Sequence, residues 1–272
     1  MILWNTEKYY QIQSKYQLLY GKEMIISLNS VFPLAGVKIA DLGCGEGTLT
    51  NFIYSLAGNE GRVVGVDIDE GMIARASKEY DGITFINSDV LDWLRKVDEK
   101  YDFIVSNAML HWLETYDKLN DYFKCSYDIL NDGGYGCCRF SLCDHALKSK
   151  EYLQKHLRKY LNNDSIVLGK PEFTYEKSAE IINRYFDIVH MEELAFKPFK
   201  ESDILNFEWL VNSQPLGQYF SHSKYEEFVD YLYIEWKKEM VEVDGHQCMF
   251  IFKKKELQQG TKCLYFGRFE KN

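Results

Sequence analysis

The segment "ADLGCGEGTLT", residues 40–50, limits the fold more than any other part of this sequence. An apolar run ends there in Asp41, and glycines follow at alternate positions, Gly43, Gly45 and Gly47. Glycine permits a tight turn in which backbone N–H groups and a helix N-terminus approach a ligand without an intervening Cβ atom. The spacing differs from the G-x-G-x-x-G of a dinucleotide site, and no Gly-Lys-Ser/Thr follows as in a P-loop. The segment therefore predicts a strand, a ligand-binding turn and a helix.

Short apolar runs alternate with helical patterns around this segment. Strands are predicted within residues 37–42, 61–68, 83–89, 101–107 and 133–142, and residues 108–130 are predicted to be helical. Such alternation is typical of βαβ units, and hence of an α/β fold with a parallel sheet covered by helices on both faces. Right-handed crossovers then place the glycine turn at the carboxyl ends of the strands, where open α/β sheets bind ligands.

The second half of the chain carries weaker signals. Strands are predicted at 187–199 and 246–255, and helices at 145–161 and 175–186. Two further helices, at 201–213 and 223–240, are rich in aromatic residues and are expected to form a helical cap, with Phe228 and Leu232 in the core between cap and sheet. Aromatic side chains at this density can line an apolar pocket or fill an ordinary core.

Composition excludes several classes of protein. The chain has 272 residues, of which 46% are hydrophobic, so it can bury a sizeable core. A net charge of −9 argues against a nucleic-acid partner, and no apolar run is long enough to span a membrane. The N-terminal stretch lacks a signal-peptide pattern, so a cytoplasmic location is expected. Seven cysteines without a Cys-x-x-Cys pair indicate neither a disulfide framework nor a metal site.

Three carboxylates are expected along the predicted ligand edge. Asp41, beside the glycine turn, suits a cationic ligand better than a pyrophosphate. Asp67 ends the second strand, where a carboxylate can bind two ribose hydroxyls. Asp89, in "NSDV" after the third strand, is placed for an exocyclic amine, with backbone contacts from Ser88 and Val90. An adenosine with a cationic amino-acid tail satisfies all three positions, and S-adenosylmethionine is such a ligand.

At these residues the sequence resembles the class I S-adenosylmethionine-dependent methyltransferases. "DLGCGEGTLT", "VVGVDIDEGMI", "NSDV", "YDFIVSNAMLHW" and "LNDGGY" follow the order of that family's motifs over residues 37–142. The resemblance implies a Rossmann-like doubly wound sheet of seven strands, the last one antiparallel, and no metal. It also implies the cofactor-binding residues, which are Asp41, Gly43, Cys44, Gly45, Asp67, Ile68, Met72, Ser88, Asp89, Val90 and Asn107.

A narrower resemblance concerns the methyl acceptor. Tyr10 with Gln17, and His111 with Trp112, are arranged as in the juvenile hormone acid methyltransferases and, less closely, the trans-aconitate methyltransferases. Both groups esterify carboxylic acids, so the resemblance implies substrate-binding roles for Tyr10, Gln17 and Trp112 and catalytic roles for Gln17, His111 and Trp112. The Gln17 amide and the Trp112 indole N–H are donors able to orient a carboxylate.

The same resemblance implies a division of the chain. Residues 1–30 would form a lid helix, 31–143 the cofactor-binding core, 144–255 the rest of the sheet with a helical substrate cap, and 256–272 a tail. The expected partner is a small carboxylic acid, and the expected assembly is a monomer or a homodimer.

Other interpretations stay open at this point. Asp41 or Asp67 can cap a helix, Met72 can belong to the core, and His111 can be a structural histidine. The function alternatives are an N- or C-methyltransferase of a peptide or natural product, for which His111 is the first candidate base, and a dinucleotide-dependent oxidoreductase or non-catalytic nucleotide-binding module.

Overall fold

A computed structural model describes the backbone over residues 6–142, 147–168, 173–196, 207, 210–211, 216–239 and 245–256. Its helices are α1 (Thr6–Val31), α2 (Thr48–Ala57), α3 (Glu70–Glu79), α4 (Val90–Lys96), α5 (Tyr116–Ile129), α6 (Leu147–Leu161), α7 (Tyr175–Tyr185) and α8 (His222–Glu239). Its strands are β1 (Lys38–Leu42), β2 (Arg62–Asp67), β3 (Thr84–Asn87), β4 (Tyr101–Asn107), β5 (Leu130–Ser141), β6 (Phe186–Phe196) and β7 (Gly245–Lys254). Short 3₁₀ turns cover Leu110–Leu113 and Leu216–Tyr219. The predicted helix at 201–213 and the tail fall largely or wholly outside the described residues.

All seven strands belong to one sheet, in the order β3-β2-β1-β4-β5-β7-β6. Strands β1 to β5 pair in parallel, whereas β7 runs antiparallel between β5 and β6. The predicted α/β sheet of seven strands with an antiparallel last strand is therefore confirmed.

Helices cover the sheet on both faces because successive residues of a strand point to opposite sides. In β1, Ile39 packs with Ile25 of α1 and Ile53 of α2, whereas Ala40 and its neighbours pack with the helices α4, α5 and α7 on the other face. The strand is buried along most of its length, which explains why it reads as a continuous apolar run rather than an alternating one.

A separate helical cluster is built from α6, α8 and nearby residues. Leu153 and Leu157 of α6 are buried against Phe228, Leu232 and Trp236 of α8. Phe228 and Leu232 are buried as predicted, but among the described residues they pack within this helical cluster and not between cap and sheet.

The predicted continuous helix at residues 108–130 is wrong. The chain forms the 3₁₀ turn Leu110–Leu113, breaks at Glu114, which has a φ of 65°, and restarts at Tyr116. Thr115 causes the restart, because its side chain accepts a hydrogen bond from the Lys118 N–H at 3.3 Å as an N-cap. The break frees residues 108–115 to form a loop beyond β4, at the carboxyl edge of the sheet.

No helix in the described ranges is long and apolar enough to cross a membrane. The same residues contain no group of three histidine, cysteine or acidic side chains arranged to hold a metal ion. Five cysteines lie among them, all as free thiols: Cys44, Cys125, Cys137, Cys138 and Cys248.

Candidate active site

The glycine turn joins β1 to α2 at the carboxyl edge of the sheet. The N–H groups of Gly43 and Cys44 both donate to the Val66 carbonyl, at 2.8 and 3.1 Å. Gly43 and Gly45 have φ values of 82° and 54°, which side chains with a Cβ rarely adopt. A Cβ on Gly43 would lie 2.4 Å from Cγ of Met109, whereas a Cβ on Gly45 would meet no atom of the described structure within 4 Å. Gly43 thus permits close packing of the loop beyond β4, and Gly45 faces open space.

Asp41 lies beneath this turn with only 1% of its surface exposed. Its Oδ2 accepts a hydrogen bond of 2.7 Å from the Thr50 hydroxyl of α2, and its side chain does not cap the helix. Burial raises the pKa of Asp41 to about 7; the Thr50 hydrogen bond opposes this rise, and the negative charge of Asp67 adds to it. A carboxylate so destabilised gains from a cationic ligand placed beside it.

Asp67 ends β2 and connects it to the glycine turn. Its Oδ2 accepts from the Gly45 N–H and its Oδ1 from the Asp69 N–H, both at 2.9 Å. Each carboxylate oxygen has a second lone pair, so both can still accept from ribose hydroxyls. Asp69, rather than Asp67, caps α3, since Asp69 Oδ1 accepts from the Met72 N–H. The interpretation of Asp41 or Asp67 as a helix cap is therefore wrong.

Apolar surface accompanies Asp67 at this edge. Ile68 is 70% exposed, which is unusual for a large aliphatic side chain, and it follows directly on Asp67. The Asn87 amide holds this segment by donating to the carbonyls of Asp67 and Ile68, at 3.2 and 2.9 Å. Met72, on α3, is buried and belongs to the hydrophobic core. Ile68 therefore adds an exposed apolar surface beside the Asp67 carboxylate.

The segment after β3 lies at the same edge. The Ser88 N–H donates to the Asp67 carbonyl at 2.9 Å, which fixes the two loops together. Asp89 is exposed, and its Oδ1 caps α4 by accepting from the Asp92 N–H at 3.0 Å. Val90 begins α4 and is buried. This cap uses one of the two carboxylate oxygens of Asp89.

Helix α1 crosses the carboxyl end of β4. Asn107 Nδ2 donates to the Gln17 carbonyl at 3.0 Å. A Cβ on Gly21 would lie 3.0 Å from the same nitrogen and 2.8 Å from Leu49 Cδ2, so glycine is what lets the helix come this close. Gln17 is partly buried. Tyr10 lies about two turns earlier on α1, and the Tyr10 side chain is outside the described residues. The predicted lid segment is thus helical and attached at Asn107.

The loop beyond β4 presents His111 and Trp112. Trp112 is 53% exposed, and its ring centre lies 5.2 Å from that of His111. His111 is partly exposed, yet its Nδ1 is buried without a hydrogen-bond partner in the described structure. Burial, with the positive charge of Lys150 as a second cause, lowers the pKa of His111 to about 4. His111 is therefore neutral at pH 7 and a weak base.

Sequence reasoning missed Arg139, which lies near the carboxyl end of β5. Only 4% of it is exposed, and its backbone pairs in register with Asn107 of β4. An arginine inside the apolar stretch "GGYGCCRFSL" was the available signal, since a buried charge needs a partner. That partner depends on α1 and β7, which are distant in sequence.

Comparison with known proteins agrees with this geometry. The sequence profile described as "Methyltransferase domain" matches residues 39–134, from β1 into β5. Residues 39–134 are therefore similar in sequence to a methyltransferase domain.

Named relatives match this methyltransferase domain rather than their whole length. The 235L protein of invertebrate iridescent virus 6 is named as a methyltransferase. It is 34% identical over 110 residues, which cover 40% of this chain and 39% of the viral protein. A trans-aconitate 2-methyltransferase of Rhizobium etli is 37% identical over 103 residues, covering 38% of each chain. The chain thus spans about two fifths of the length of these relatives.

Solved structures share the fold across more of the chain at low identity. The N-methyltransferase NodS of Bradyrhizobium japonicum, in complex with S-adenosyl-L-homocysteine, has a TM-score of 0.52 at 15% identity over 87% of this chain and 86% of NodS. The cyclopropane synthase MmaA2 of Mycobacterium tuberculosis has a TM-score of 0.53 at 17% identity over 85% of this chain and 84% of its own. These likenesses establish the fold alone.

The residues of the methyltransferase domain fit its cofactor. The open space at Gly45, the buried carboxyl group of Asp41 and the exposed Ile68 beside Asp67 are compatible, in turn, with an amino-acid tail, a positive charge and an adenosine. Cys44 is buried and its thiol pKa is raised, mainly by burial, so it contributes backbone rather than chemistry.

Proposed function

We propose that this protein is an S-adenosylmethionine-dependent methyltransferase that methylates a carboxylic acid oxygen of a small molecule. The observation that carries the proposal is the link between Gly45 and Asp67, at 2.9 Å, which joins the glycine turn to a ribose-type carboxylate beside the buried Asp41. Bound there, the cofactor would supply an electrophilic methyl group on a sulfonium, from which a neutral thioether leaves readily.

The chain's own residues then have to bind, align and exclude water. Asp41 offers negative charge to the cationic tail, Asp67 accepts from the ribose, and Asp89 accepts from the adenine amine. The partly buried lid segment around Gln17, held at Asn107, covers the edge where the acceptor would enter. Ser88 and Val90 contribute backbone contacts, and Asn107 the wall of the pocket.

A carboxylate is the acceptor that this site favours. It is ionised at neutral pH and needs no base, which agrees with a pKa of about 4 for His111. Gln17 and Trp112 would orient one oxygen by donating hydrogen bonds, and Tyr10 would border the acceptor. The trans-aconitate 2-methyltransferases support the same acceptor class by the similarity of their methyltransferase domains.

Methylation of nitrogen or carbon is the second candidate. His111 is the first candidate base for such an acceptor, and its buried Nδ1 has no hydrogen-bond partner in the described structure. The fold does not distinguish between acceptor atoms, because NodS is named as an N-methyltransferase and MmaA2 as a cyclopropane synthase.

The deciding experiment uses S-adenosylmethionine labelled on its methyl group. The protein is incubated with a mixture of aliphatic, aromatic and tricarboxylic acids and, separately, with a mixture of amines. Labelled product that mild alkali releases as methanol supports an ester, whereas alkali-stable product contradicts carboxyl methylation. Asp67→Ala is the control that should abolish both kinds of product.

A thermal-shift measurement tests the remaining alternative. S-Adenosylhomocysteine should raise the melting temperature and NAD should not, because only a ligand of the native state stabilises it. The reverse result would favour an oxidoreductase. The division into lid helix, core, cap and tail, the small-molecule partner, the cytoplasmic location and the monomeric or homodimeric state belong to the same proposal.

A further inference from the structure

Arg139 is a buried cation at the edge of the sheet that holds the proposed site. The Ala108 N–H, which begins the loop beyond β4, donates to the Arg139 carbonyl at 2.8 Å. Its side chain emerges on the face covered by α1, where its Cζ lies 4.1 Å from the centre of the Tyr20 ring. Arg139 therefore lies between the lid helix and the loop that carries Trp112.

The Arg139 side chain contacts two neutral side chains, those of Gln247 and Tyr20. Its Nε donates to Gln247 Oε1 of β7 at 2.8 Å, and Tyr20 offers a ring face. In the described part of the chain, Arg139 forms no ion pair with a carboxylate within 4.0 Å, and its side-chain hydrogen bond to Gln247 uses Nε and neither terminal nitrogen. Glu23 and Glu192 act on it only from farther away.

Most of the Arg139 side chain is removed from water and no carboxylate is in contact with it, so an anion that binds there would be favoured. Tyr20 packs against one face of the guanidinium, and Gln247 binds its Nε edge. The terminal nitrogens remain as a planar fork, the geometry in which arginine binds both oxygens of a carboxylate.

Gln17 connects this fork to the proposed acceptor site. Gln17 and Tyr20 are three residues apart on α1 and so share one face of the helix. The Gln17 carbonyl accepts from Asn107, which pairs in register with Arg139. The helix face that carries the proposed orienting donor therefore also covers Arg139.

We propose that Arg139 binds a carboxylate of the methyl acceptor and is the residue that selects anionic acceptors. The inference rests on the proposed function for the location of the acceptor. In a monoacid, Arg139 and Gln17 both bind the reacting carboxylate. In a polyacid, Arg139 binds a second carboxylate, one that does not react. Lysine would replace Arg139 only in part, because a single ammonium lacks the fork.

The test measures equilibrium binding of benzoate, octanoate and tricarballylate to protein saturated with S-adenosylhomocysteine, with benzamide and octanamide as neutral analogues. Acids should bind and amides should not. Arg139→Gln should weaken acid binding about thirty-fold or more, as expected for loss of one partner of a desolvated charge pair, and Arg139→Lys should restore it only in part. Binding of tricarballylate alone would assign the group to a second carboxylate.

Two controls separate this role from a structural one. Affinity for S-adenosylhomocysteine should be the same in Arg139→Gln and the parent protein, and Glu23→Gln should leave acid binding unchanged. Equal acid binding by Arg139→Gln and the parent would overturn the inference even if esters form. If the labelled product is alkali-stable while Arg139→Gln still loses acid binding, the acceptor atom is wrong and the anion site stands.

Discussion

The Thr50 hydroxyl donates a 2.7 Å hydrogen bond to the buried carboxylate of Asp41. This bond favours the ionised form, yet burial outweighs it and raises the Asp41 pKa to about 7. In the free protein Asp41 is thus partly protonated near neutral pH. A cationic ligand beside it would lower that pKa, so binding and proton release are coupled.

Affinity for S-adenosylhomocysteine, whose amino-acid tail carries an ammonium, should therefore rise with pH between 5.5 and 7. The free protein must lose a proton from Asp41 before the ligand gains its charge partner. The dissociation constant should therefore be about tenfold larger at pH 5.5 than at pH 7. Calorimetric titration at several pH values checks this. Asp41→Asn should bind weakly at every pH, and a steep pH profile in that variant would assign the proton to another group.

The same substitution should affect stability in a pH-dependent way. Because the Asp41 pKa is raised in the folded state, ionisation costs stability as pH rises from the unfolded value of about 4 toward 7. Asp41→Asn should therefore raise the melting temperature of the free protein more at pH 8 than at pH 5. An equal effect at both pH values would contradict the raised pKa.

Asp67→Ala should weaken S-adenosylhomocysteine binding by on the order of a hundredfold, because two charge-assisted hydrogen bonds to ribose would be lost. Calorimetric titration measures the loss. Asp69→Asn is the matched control, since it removes a negative charge two residues away while its side chain can still cap α3. Similar losses in both variants would indicate general electrostatics rather than ribose binding.

The pattern of the sequence predicted the sheet and the glycine turn because both depend on local features. The apolar runs of β1 and β2, and the acid that ends each, are contiguous in the chain. The break at Glu114 was missed, although Thr115 is a recognisable N-cap. Arg139 could not be assigned from sequence, because its neighbours Tyr20 and Gln247 come from α1 and β7 and meet it only in the folded sheet.

Trp112→Phe should lower kcat/KM for a carboxylic acid by about tenfold, because the ring is kept and one orienting donor is removed. Binding of S-adenosylhomocysteine should not change. Steady-state kinetics with the acid identified by methyl labelling measures the effect. An unchanged kcat/KM would remove the indole N–H from the mechanism.

His156 of α6 should make the helical cap sensitive to acid. It is buried, with Nδ1 3.1 Å from the Tyr231 hydroxyl and Nε2 3.2 Å from Glu239 Oε1. Burial lowers its pKa, although Glu239 opposes this, so the folded state prefers the neutral ring. Its contribution should be complete above the unfolded pKa of about 6.5 and decline as pH falls below it.

Urea unfolding checks this sign. His156→Gln should cost about 1–2 kcal/mol at pH 7.5 through lost hydrogen bonds, and less at pH 5. A larger cost at pH 5 would mean that the ring is protonated in the folded protein.

Gly43→Ala should harm both folding and cofactor binding. The φ of 82° strains any residue with a Cβ, and that atom would lie 2.4 Å from Met109 Cγ, so a loss of at least about 2 kcal/mol is expected. Gly133→Ala is the matched control, because Gly133 has a φ of 76° with no described atom within 4 Å of the new Cβ. It should cost about 1 kcal/mol and leave S-adenosylhomocysteine binding intact. Equal losses in the two variants, measured by urea unfolding and calorimetry, would show that backbone strain alone, and not the contact with the loop beyond β4, makes glycine necessary at position 43.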